Sequence, residues 1–389
     1  MRPILGISLT LAAAAGCAAW KPALEREGWT LYRSTGSAAA NGVSISAFDA
    51  ALHPAFGFVE GRFGAFEKRV RVHAFRGAVD LEGGRRLVAD GADGAGGVYD
   101  VPGIGPARVE AFHSRGGGAL ARDGVFLGAP DVGTAVHELI HAWYAERGTQ
   151  LALWFEEGIA TYFGDGLVVD GRWIVDGMSW WPLRELREEL AAGHLDDATL
   201  RDLLAATPRD HSDVRRNVLV HFVGWAIVLD LARETGSQDW QDWSKAFRWE
   251  QPLEDARARL ERTLGPATQD AWLDRLADPD PNVRMATAQG VWKLRSRGVM
   301  LRLVDALEAE ESSEVAVCLA VNLLACAGEL DLSWRDWRRI SGPLGRALRS
   351  PRLDDPEEED AARALYLAYR RGQGDPQAAL RRLERFWTE

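Results

Sequence analysis

The spacing of apolar residues changes part-way along the chain, near residue 134. Before that point, apolar and polar residues alternate in short runs, as in residues 69–73, where Val70 and Val72 stand between charged neighbours and His73. Such a period of two predicts strands. The predicted strands are Trp29–Arg33, Lys68–Phe75, Val109–His113 and Val125–Gly128. A helical pattern covers residues 45–63, and the Gly-rich stretches 91–106 and 115–119 predict loops.

After residue 134 the apolar residues recur every three or four positions, which predicts helices. These patterns cover residues 134–147, 151–164, 182–193, 197–205, 215–235 and 253–263. Residues 167–175 predict a hairpin with Asp170-Gly171 at its turn. A mixed first part followed by helices predicts an α+β fold for residues 21–265.

A second change, near residue 266, begins an all-helical extension. Two Asp-Pro steps lie within residues 278–281, and an Ala-rich helical pattern follows them as far as Leu294. About 32 residues later a second pattern ends at Cys326, and residues 344–370 repeat the outline loosely. This arrangement resembles HEAT-like repeats, in which stacked helix pairs form a solenoid. The alternative for residues 266–389 is a plain helical bundle that contains one Asp-Pro turn.

The N-terminus has the features of an export signal. Arg2 is followed by an apolar stretch from Ile4 to Ala15 and then by small residues before Cys17. Residues 1–17 resemble a bacterial lipoprotein signal, which implies cleavage before Cys17 and lipidation of that cysteine. We therefore expect an exported protein, either anchored by lipid to a membrane of the cell envelope or secreted. The alternatives are an ordinary secretory signal cut nearby and a short apolar helix.

Composition excludes several classes of protein. Hydrophobic residues make up 47% and charged residues 26% of the chain, as in folded domains. A formal charge of −11 argues against nucleic acid as a partner. No run of 18 apolar residues occurs after the N-terminus, which argues against a polytopic membrane protein. Three cysteines make no disulfide framework, and Cys318 and Cys326 are about 12 Å apart if they share a helix.

The strongest chemical signal is an HExxH motif at residues 137–141. His137 and His141 are four residues apart, so a helix places both imidazoles on one face, where they can bind one Zn²⁺. Glu138 lies about 100° around the helix and can reach a water molecule at the metal. The alternative is a structural helix with two histidines that face the core.

A tetrahedral catalytic zinc needs a third protein ligand. The next predicted helix offers adjacent carboxylates at Glu156 and Glu157. Its pattern resembles W-x-x-E-G-x-A-x-Y of gluzincin metallopeptidases, the thermolysin-like and aminopeptidase-like enzymes. The fixed positions are met by Trp154, Glu157, Gly158, Ala160 and Tyr162. The resemblance implies a thermolysin-like domain, Glu157 as the third ligand and one Zn²⁺ per chain. Glu156 should point about 100° away, as a neighbouring polar group or a substrate contact.

Two more specific families do not fit. Metzincins need Gly and His three and six residues after His141, and those positions hold Tyr144 and Arg147. The GAMEN-like strand of aminopeptidases is absent upstream. The resemblance therefore implies a gluzincin metallopeptidase in general and leaves the cleavage specificity open.

A catalytic site of this kind also needs a group that stabilises the oxyanion. In the related enzymes a His or Tyr from a later helix does so, and His221 stands at that position in the predicted helix 215–235. The alternative is a structural histidine on an apolar helix.

Together these patterns predict a zinc-dependent peptidase that cleaves a peptide or protein substrate. The metal is held by His137, His141 and Glu157. Glu138 is the general base on a metal-activated water, and His221 stabilises the oxyanion. We expect the strand near Val125–Leu127 to form the sheet edge that pairs with an extended peptide. The rival hypothesis is an exported lipoprotein scaffold, with the helical repeats as the surface for a protein partner. A third hypothesis is a metal-free structural protein.

Overall fold

The computed structural model describes most of the chain between residues 20 and 349. The described residues are 20–34, 44–74, 98–101, 105–108, 118–121, 124–127, 131–169, 171–175, 180–207, 214–291, 294, 296–328, 330 and 333–349. The predicted signal with Cys17, the predicted strand at 109–113 and most of the loose third repeat lie outside them.

The chain divides into two compact units. One contains residues 1–177 and 196–257, and the other contains residues 178–195 and 258–389. The sequence places one boundary after residue 265. The contacts instead assign residues 178–195, and everything from residue 258 onwards, to the second unit.

The described strands of the first unit are short and form three sheets. In chain order they are β1 Trp20–Glu25, β2 Trp29–Ser34, β3 Val70–Ala74, β4 Val98–Val101, β5 Gly105–Arg108, β6 Gly118–Ala121, β7 Gly124–Leu127, β8 Gly166–Val169 and β9 Arg172–Val175. The largest sheet has the order β1-β2-β3-β7-β6, and β4-β5 and β8-β9 are separate antiparallel pairs. Strands β4, β5 and β6 overlap the Gly-rich stretches 91–106 and 115–119, so the prediction of loops throughout those stretches is wrong.

The three central strands of the large sheet run parallel. Leu31 of β2 is opposite Val72 of β3, and Val72 is opposite Val125 of β7. All three side chains are fully buried. This row of aliphatic side chains explains why a run with a period of two folds here as a strand with one face in the core.

Strand β7 is not the edge of this sheet. It pairs in parallel with β3 on one side and antiparallel with β6 on the other. The prediction that Val125–Leu127 forms the edge is therefore wrong, and β6 takes that position in the described sheet. The sequence Gly118–Ala121 has no alternation of apolar and polar residues, which is why the pattern did not predict it as a strand.

The described helices of the first unit are α1 Ile45–Phe63, α2 Val132–Arg147, α3 Leu153–Gly164, α5 Asp197–Leu204, α6 Val214–Thr235 and α7 Trp240–Ala246. Most of them follow the predicted pattern closely, and α7 is a helix that the pattern did not predict. Ser44 caps α1 by accepting a hydrogen bond from the backbone of Ala47. Trp29 of β2 stacks on Phe56 of α1 with ring centroids 5.4 Å apart, which joins the sheet to this helix.

The second unit is helical in its described residues. Its helices are α4 Trp180–Ala191, the later part of α8 Pro252–Leu264, α9 Pro266–Leu273, α10 Pro281–Val291, α11 Arg297–Ala309, α12 Ser313–Gly328 and α13 Trp334–Ala347, with a 3-10 turn at Asp274–Ala277. Cys318 and Cys326 of α12 are both buried.

The Asp-Pro turn before α10 is held by an arginine. The guanidinium of Arg284 donates to the backbone oxygens of Asp278 (2.7 Å) and Pro279 (3.1 Å). It also makes two hydrogen bonds to Glu310, at 2.7 and 2.8 Å. The turn is thereby tied to the chain beyond the end of α11. No helix among the described residues has both the length and the apolar character to cross a membrane.

Candidate metal centre

Helix α2 carries the HExxH motif and is defined at both ends. The Asp131 carboxylate accepts hydrogen bonds from the backbone N–H (2.7 Å) and the hydroxyl (2.6 Å) of Thr134. Gly148 ends the helix in the left-handed region, at φ +61°, where a side chain is disfavoured. Between these caps the helix turns His137 and His141 to one face, and both imidazoles are buried.

Glycine pairs bring the neighbouring helices very close to the motif. A Cβ atom on Gly133 of α2 would lie 2.3 Å from the carbonyl oxygen of Gly164, at the end of α3. A Cβ atom on Gly158 of α3 would lie 2.4 Å from the carbonyl oxygen of Gly224 on α6. No side chain fits at these contacts, so the backbones approach directly. Three helices can therefore direct polar side chains to one point.

Three predicted ligands meet at that point. The Nε2 atoms of His137 and His141 are 3.1 Å apart. Oε2 of Glu157 lies 3.4 Å from Nε2 of His137 and 3.2 Å from Nε2 of His141. The prediction that these residues come together is confirmed: they form a buried group that can hold a metal ion.

The dimensions of this group fit a small tetrahedral ion. Ligand atoms at 2.0–2.1 Å from a tetrahedral centre are separated from one another by about 3.3 Å. The three observed separations, 3.1 to 3.4 Å, bracket that distance. Two imidazole nitrogens and one carboxylate oxygen are also donors that Zn²⁺ accepts. The residues present therefore fit the metal that the motif implies.

Glu156 contacts His141 on the side of the ring that faces away from the other two ligands. Its Oε1 lies 2.8 Å from Nδ1 of His141, the ring nitrogen that faces away from His137 and Glu157. A ligand histidine is commonly oriented by a carboxylate on its other nitrogen, and this contact selects its tautomer. The sequence predicted that Glu156 points away from Glu157. It did not predict that this direction leads to His141, and the adjacency of two glutamates was the available signal.

Glu138 is buried next to the ligands, and neither carboxylate oxygen has a hydrogen-bond partner among the described residues. Burial raises the pKa of Glu138 to about 8, His141 opposes that rise and Glu157 adds to it. A buried carboxyl group without a partner is costly, and such groups concentrate at functional sites. The position predicted for the general base is therefore occupied by an unpartnered carboxyl group.

The ligand group has strongly perturbed protonation. Burial lowers the pKa of His141, but Glu157 and Glu156 outweigh it, so that pKa lies well above its usual value. Burial raises the pKa of Glu157, but His221, His141 and His137 outweigh it, so that pKa lies well below its usual value. The two shifts have opposite directions because the charged form of each group stabilises the charged form of the other. Metal binding to such a group releases protons.

His221 of α6 also reaches the cluster. Its Nε2 lies 2.8 Å from Oε2 of Glu157, and its ring is nearly parallel to that of His137, with centroids 5.7 Å apart. Burial lowers the pKa of His221, but Glu157 and the Asn217 carbonyl outweigh it, and the net shift is upward. The structure thus brings together all five residues predicted for the site, while the catalytic role of His221 stays a prediction.

The remaining fixed positions of the second motif have packing roles. The Trp154 ring lies 4.9 Å from the ring of Phe247, and the Tyr162 ring lies 5.1 Å from that of Trp243. Ala160 is fully buried. These contacts hold α3 in place around Glu157. Comparison of the chain with protein-family models, with curated proteins and with solved structures gave no match.

Proposed function

We propose that this protein is a zinc-dependent peptidase of the gluzincin type, with Zn²⁺ held by His137, His141 and Glu157. The observation that carries the proposal is the buried triangle of two imidazole nitrogens and one carboxylate oxygen. The carboxyl group of Glu138, which has no hydrogen-bond partner among the described residues, lies beside this triangle on helix α2. When bound, zinc supplies Lewis-acid polarisation of the scissile carbonyl and lowers the pKa of water.

Glu138 is the general base. It accepts a proton from the attacking water and passes that proton to the leaving amine, so that it returns to its starting state. A carboxyl group whose pKa lies near neutrality suits both transfers.

The substrate is a peptide or protein in an extended conformation. Strand β6 has no second neighbour within the described sheet, so its backbone can pair with such a chain. His221 lies within the cluster and is the group we assign to the oxyanion of the tetrahedral intermediate.

The wider architecture belongs to the same proposal. We assign the first unit to a thermolysin-like peptidase domain, which the sequence predicts over residues 21–265. We assign helices α9 to α13 of the second unit to HEAT-like repeats, which the sequence predicts over residues 266–389. Support for the repeats comes from the helices α10 to α13 and from Arg284 in the Asp-Pro turn. A lipid on Cys17 would attach the exported protein to a membrane, as its N-terminal sequence predicts.

The deciding experiment compares the wild type with Glu138→Gln. About one zinc per chain should copurify with both proteins, because Glu138 is not a ligand. Cleavage of a broad peptide library should fall about 10²–10⁴-fold in the variant, the usual range for loss of a general base. Glu254→Gln, which removes an exposed carboxylate on α8, is the matched control and should leave both zinc and cleavage unchanged.

Two results would contradict the proposal. Zinc retained at full stoichiometry by the double variant His137→Ala, His141→Ala would remove the ligand assignment. Zinc-loaded wild type without cleavage, together with full complementation of a deficient host by Glu138→Gln, would favour the scaffold hypothesis.

A further inference from the structure

The last turn of the HExxH helix is hydrogen-bonded to the loop that follows α1. Nε1 of Trp143 donates to the carbonyl oxygen of Gly64 at 3.0 Å, and Nη2 of Arg147 donates to that of Ala65 at 2.6 Å. The guanidinium of Arg147 also lies over the Trp143 ring, 4.0 Å from its centroid. The two side chains therefore support each other while they bind the loop.

Glu146 binds the same loop from the other direction. Its carboxylate accepts hydrogen bonds from the backbone N–H of Glu67 at 2.8 Å and of Lys68 at 2.6 Å. Nη1 of Arg147 donates to the same carboxylate at 3.3 Å. Trp143, Glu146 and Arg147, here called the loop clamp, thus bind four backbone groups within five residues of the loop.

The loop leads from the clamp into the large sheet. Strand β3 begins at Val70, two residues after Lys68, and its first backbone N–H donates to the carbonyl oxygen of Gly28 at 2.8 Å. Strand β3 pairs with β7, and β7 pairs with β6, the strand that we assign to the substrate. The clamp therefore joins the helix that carries the metal ligands to the sheet on which the substrate would lie.

The remaining contact between this helix and the sheet is of a different kind. Helix α2 packs against β6 and β7. Next to the motif histidines it buries the aliphatic side chains Ala135, Val136, Leu139 and Ile140. Burial of apolar surface is favourable but non-directional, whereas a hydrogen bond weakens steeply when its angle or length changes. The four hydrogen bonds of the clamp therefore define where α2 lies along its own axis.

We propose that the loop clamp consists of positioning residues that set the offset between the substrate strand β6 and the metal ligands on α2. A peptide paired with β6 presents its scissile carbonyl to the metal only if this offset is correct. A misplacement of about 1 Å can cost about 10²-fold in rate. The inference rests on the proposed function and adds substrate alignment as the task of three residues that are not metal ligands.

Two inhibitors that differ in length separate alignment from metal binding. Acetohydroxamate binds the metal alone. A peptide hydroxamate, built on the best-cleaved sequence of the peptide library, binds the metal and β6 together. The ratio of the two affinities, measured by calorimetry on the zinc-loaded full-length protein, reports the alignment. Glu146→Ala should lower this ratio by about 10-fold or more. It should leave the affinities for acetohydroxamate and for Zn²⁺ unchanged.

Hydrogen exchange reports on the clamp without any ligand. In Glu146→Ala the amides of Glu67 and Lys68 lose their acceptor and should exchange faster than in the wild type. Glu146→Gln keeps one acceptor oxygen and should recover part of the affinity ratio. Ser44→Ala is the matched control, because it removes the cap at the opposite end of α1 and leaves the clamp untouched. It should lower the thermal stability and keep the affinity ratio of the wild type.

The outcomes distinguish this inference from the proposed function. An unchanged ratio or unchanged hydrogen exchange in Glu146→Ala would overturn the positioning role and leave the proposed enzyme intact. An equal fall of the ratio in Ser44→Ala would also overturn it, because lost stability would then explain the effect. A wild type that binds both inhibitors equally would refute the pairing with β6, and the inference with it. A wild type that neither binds zinc nor cleaves any peptide would refute the proposed function itself.

Discussion

Two helical regions of this molecule differ in the ionisable side chains that they bury. Helices α2, α3 and α6 of the first unit bury His137, Glu138, His141, Glu157 and His221 within one cluster. In the second unit, α11 and α12 bury mainly aliphatic side chains, together with Cys318 and Cys326. There, the charged pairs that the structure describes lie at turns and on helix surfaces.

The contrast separates side chains that stabilise a fold from side chains that the fold must accommodate. Apolar burial is favourable by roughly 25 cal/mol per Å². Buried ionisable groups cost free energy unless they are paired or bind a metal. A protein that places five of them together therefore has another use for them. The energy that offsets this cost must come from packing around the cluster, where the glycine contacts are the tightest.

The largest effect should follow from filling one of those contacts. In an ordinary helix, Gly→Ala stabilises by about 0.5–1 kcal/mol. At Gly224 the new methyl group would meet the backbone of α3 at 1.9 Å. We expect Gly224→Ala to reverse the usual sign and to lower the free energy of unfolding by about 3 kcal/mol, the upper end of the usual cost of overpacking. Urea unfolding followed by circular dichroism measures the change.

Gly57 provides the control for Gly224. It also lies inside a helix, α1, but a Cβ atom there would have no heavy atom within 4 Å. Gly57→Ala should therefore stabilise the protein by the ordinary amount. If Gly224→Ala were as harmless as Gly57→Ala, the close crossing of α3 and α6 would be disproved.

The same contrast explains what the sequence could predict. Helix α1 was predicted with its observed bounds, and α2, α3 and α6 within about two residues, because a period near 3.6 is a local property. The HExxH spacing likewise places two imidazoles on one helical face. The pairing of β6 with β7 and the partner of Glu156 depend on the approach of distant segments, which no local period records.

Two glycines show most clearly what the sequence could not predict. Gly158 was recognised only as a fixed position of a motif, and Gly224 only as one residue of an apolar helix. Their importance arises because the two backbones meet, and a sequence does not record which small residues face each other. The position of His221 beside Glu157 was hidden for the same reason.

A smaller effect, confined to the metal, should follow from removing the carboxylate behind His141. Glu156→Ala deletes the partner of Nδ1 and should weaken zinc binding by about 10–100-fold, with little change in unfolding free energy. Glu156→Gln should recover much of the affinity, because its amide oxygen still accepts from that nitrogen. Chelator competition measures both.

The second unit contains a comparable pair that should behave differently. Oε2 of Glu189 lies 2.9 Å from Nδ1 of His194, where more than half of the histidine side chain is exposed. Glu189→Ala should leave the zinc affinity unchanged. It should change the free energy of unfolding by less than about 1 kcal/mol. Zinc affinity that fell equally in Glu156→Ala and Glu189→Ala would mean that the contact with His141 has no specific role.

The smallest expected effect concerns the charged pair at the turn before α10. Glu310 accepts two hydrogen bonds from Arg284, and its side chain is 2% exposed. Burial raises the pKa of Glu310, but these contacts outweigh it, and the net shift is downward. A carboxyl group whose pKa is lower in the folded protein stabilises the fold at neutral pH. That contribution is lost as the pH falls through the folded-state pKa.

We therefore expect Glu310→Gln to lower the free energy of unfolding by about 1–2 kcal/mol at pH 7. The difference from the wild type should shrink as the pH falls below the usual range of a glutamate. Asp305→Asn is the control, because its pair with Arg339 is about half exposed and should contribute less than about 1 kcal/mol. Urea unfolding of the wild type, Glu310→Gln and Asp305→Asn, from pH 7 down to below the usual pKa of a glutamate, measures the effect. A constant difference between wild type and Glu310→Gln down to the most acidic pH would show that the ion pair does not stabilise the turn. The apolar core would then account for more of the stability of the second unit, which would make its contrast with the metal centre sharper still.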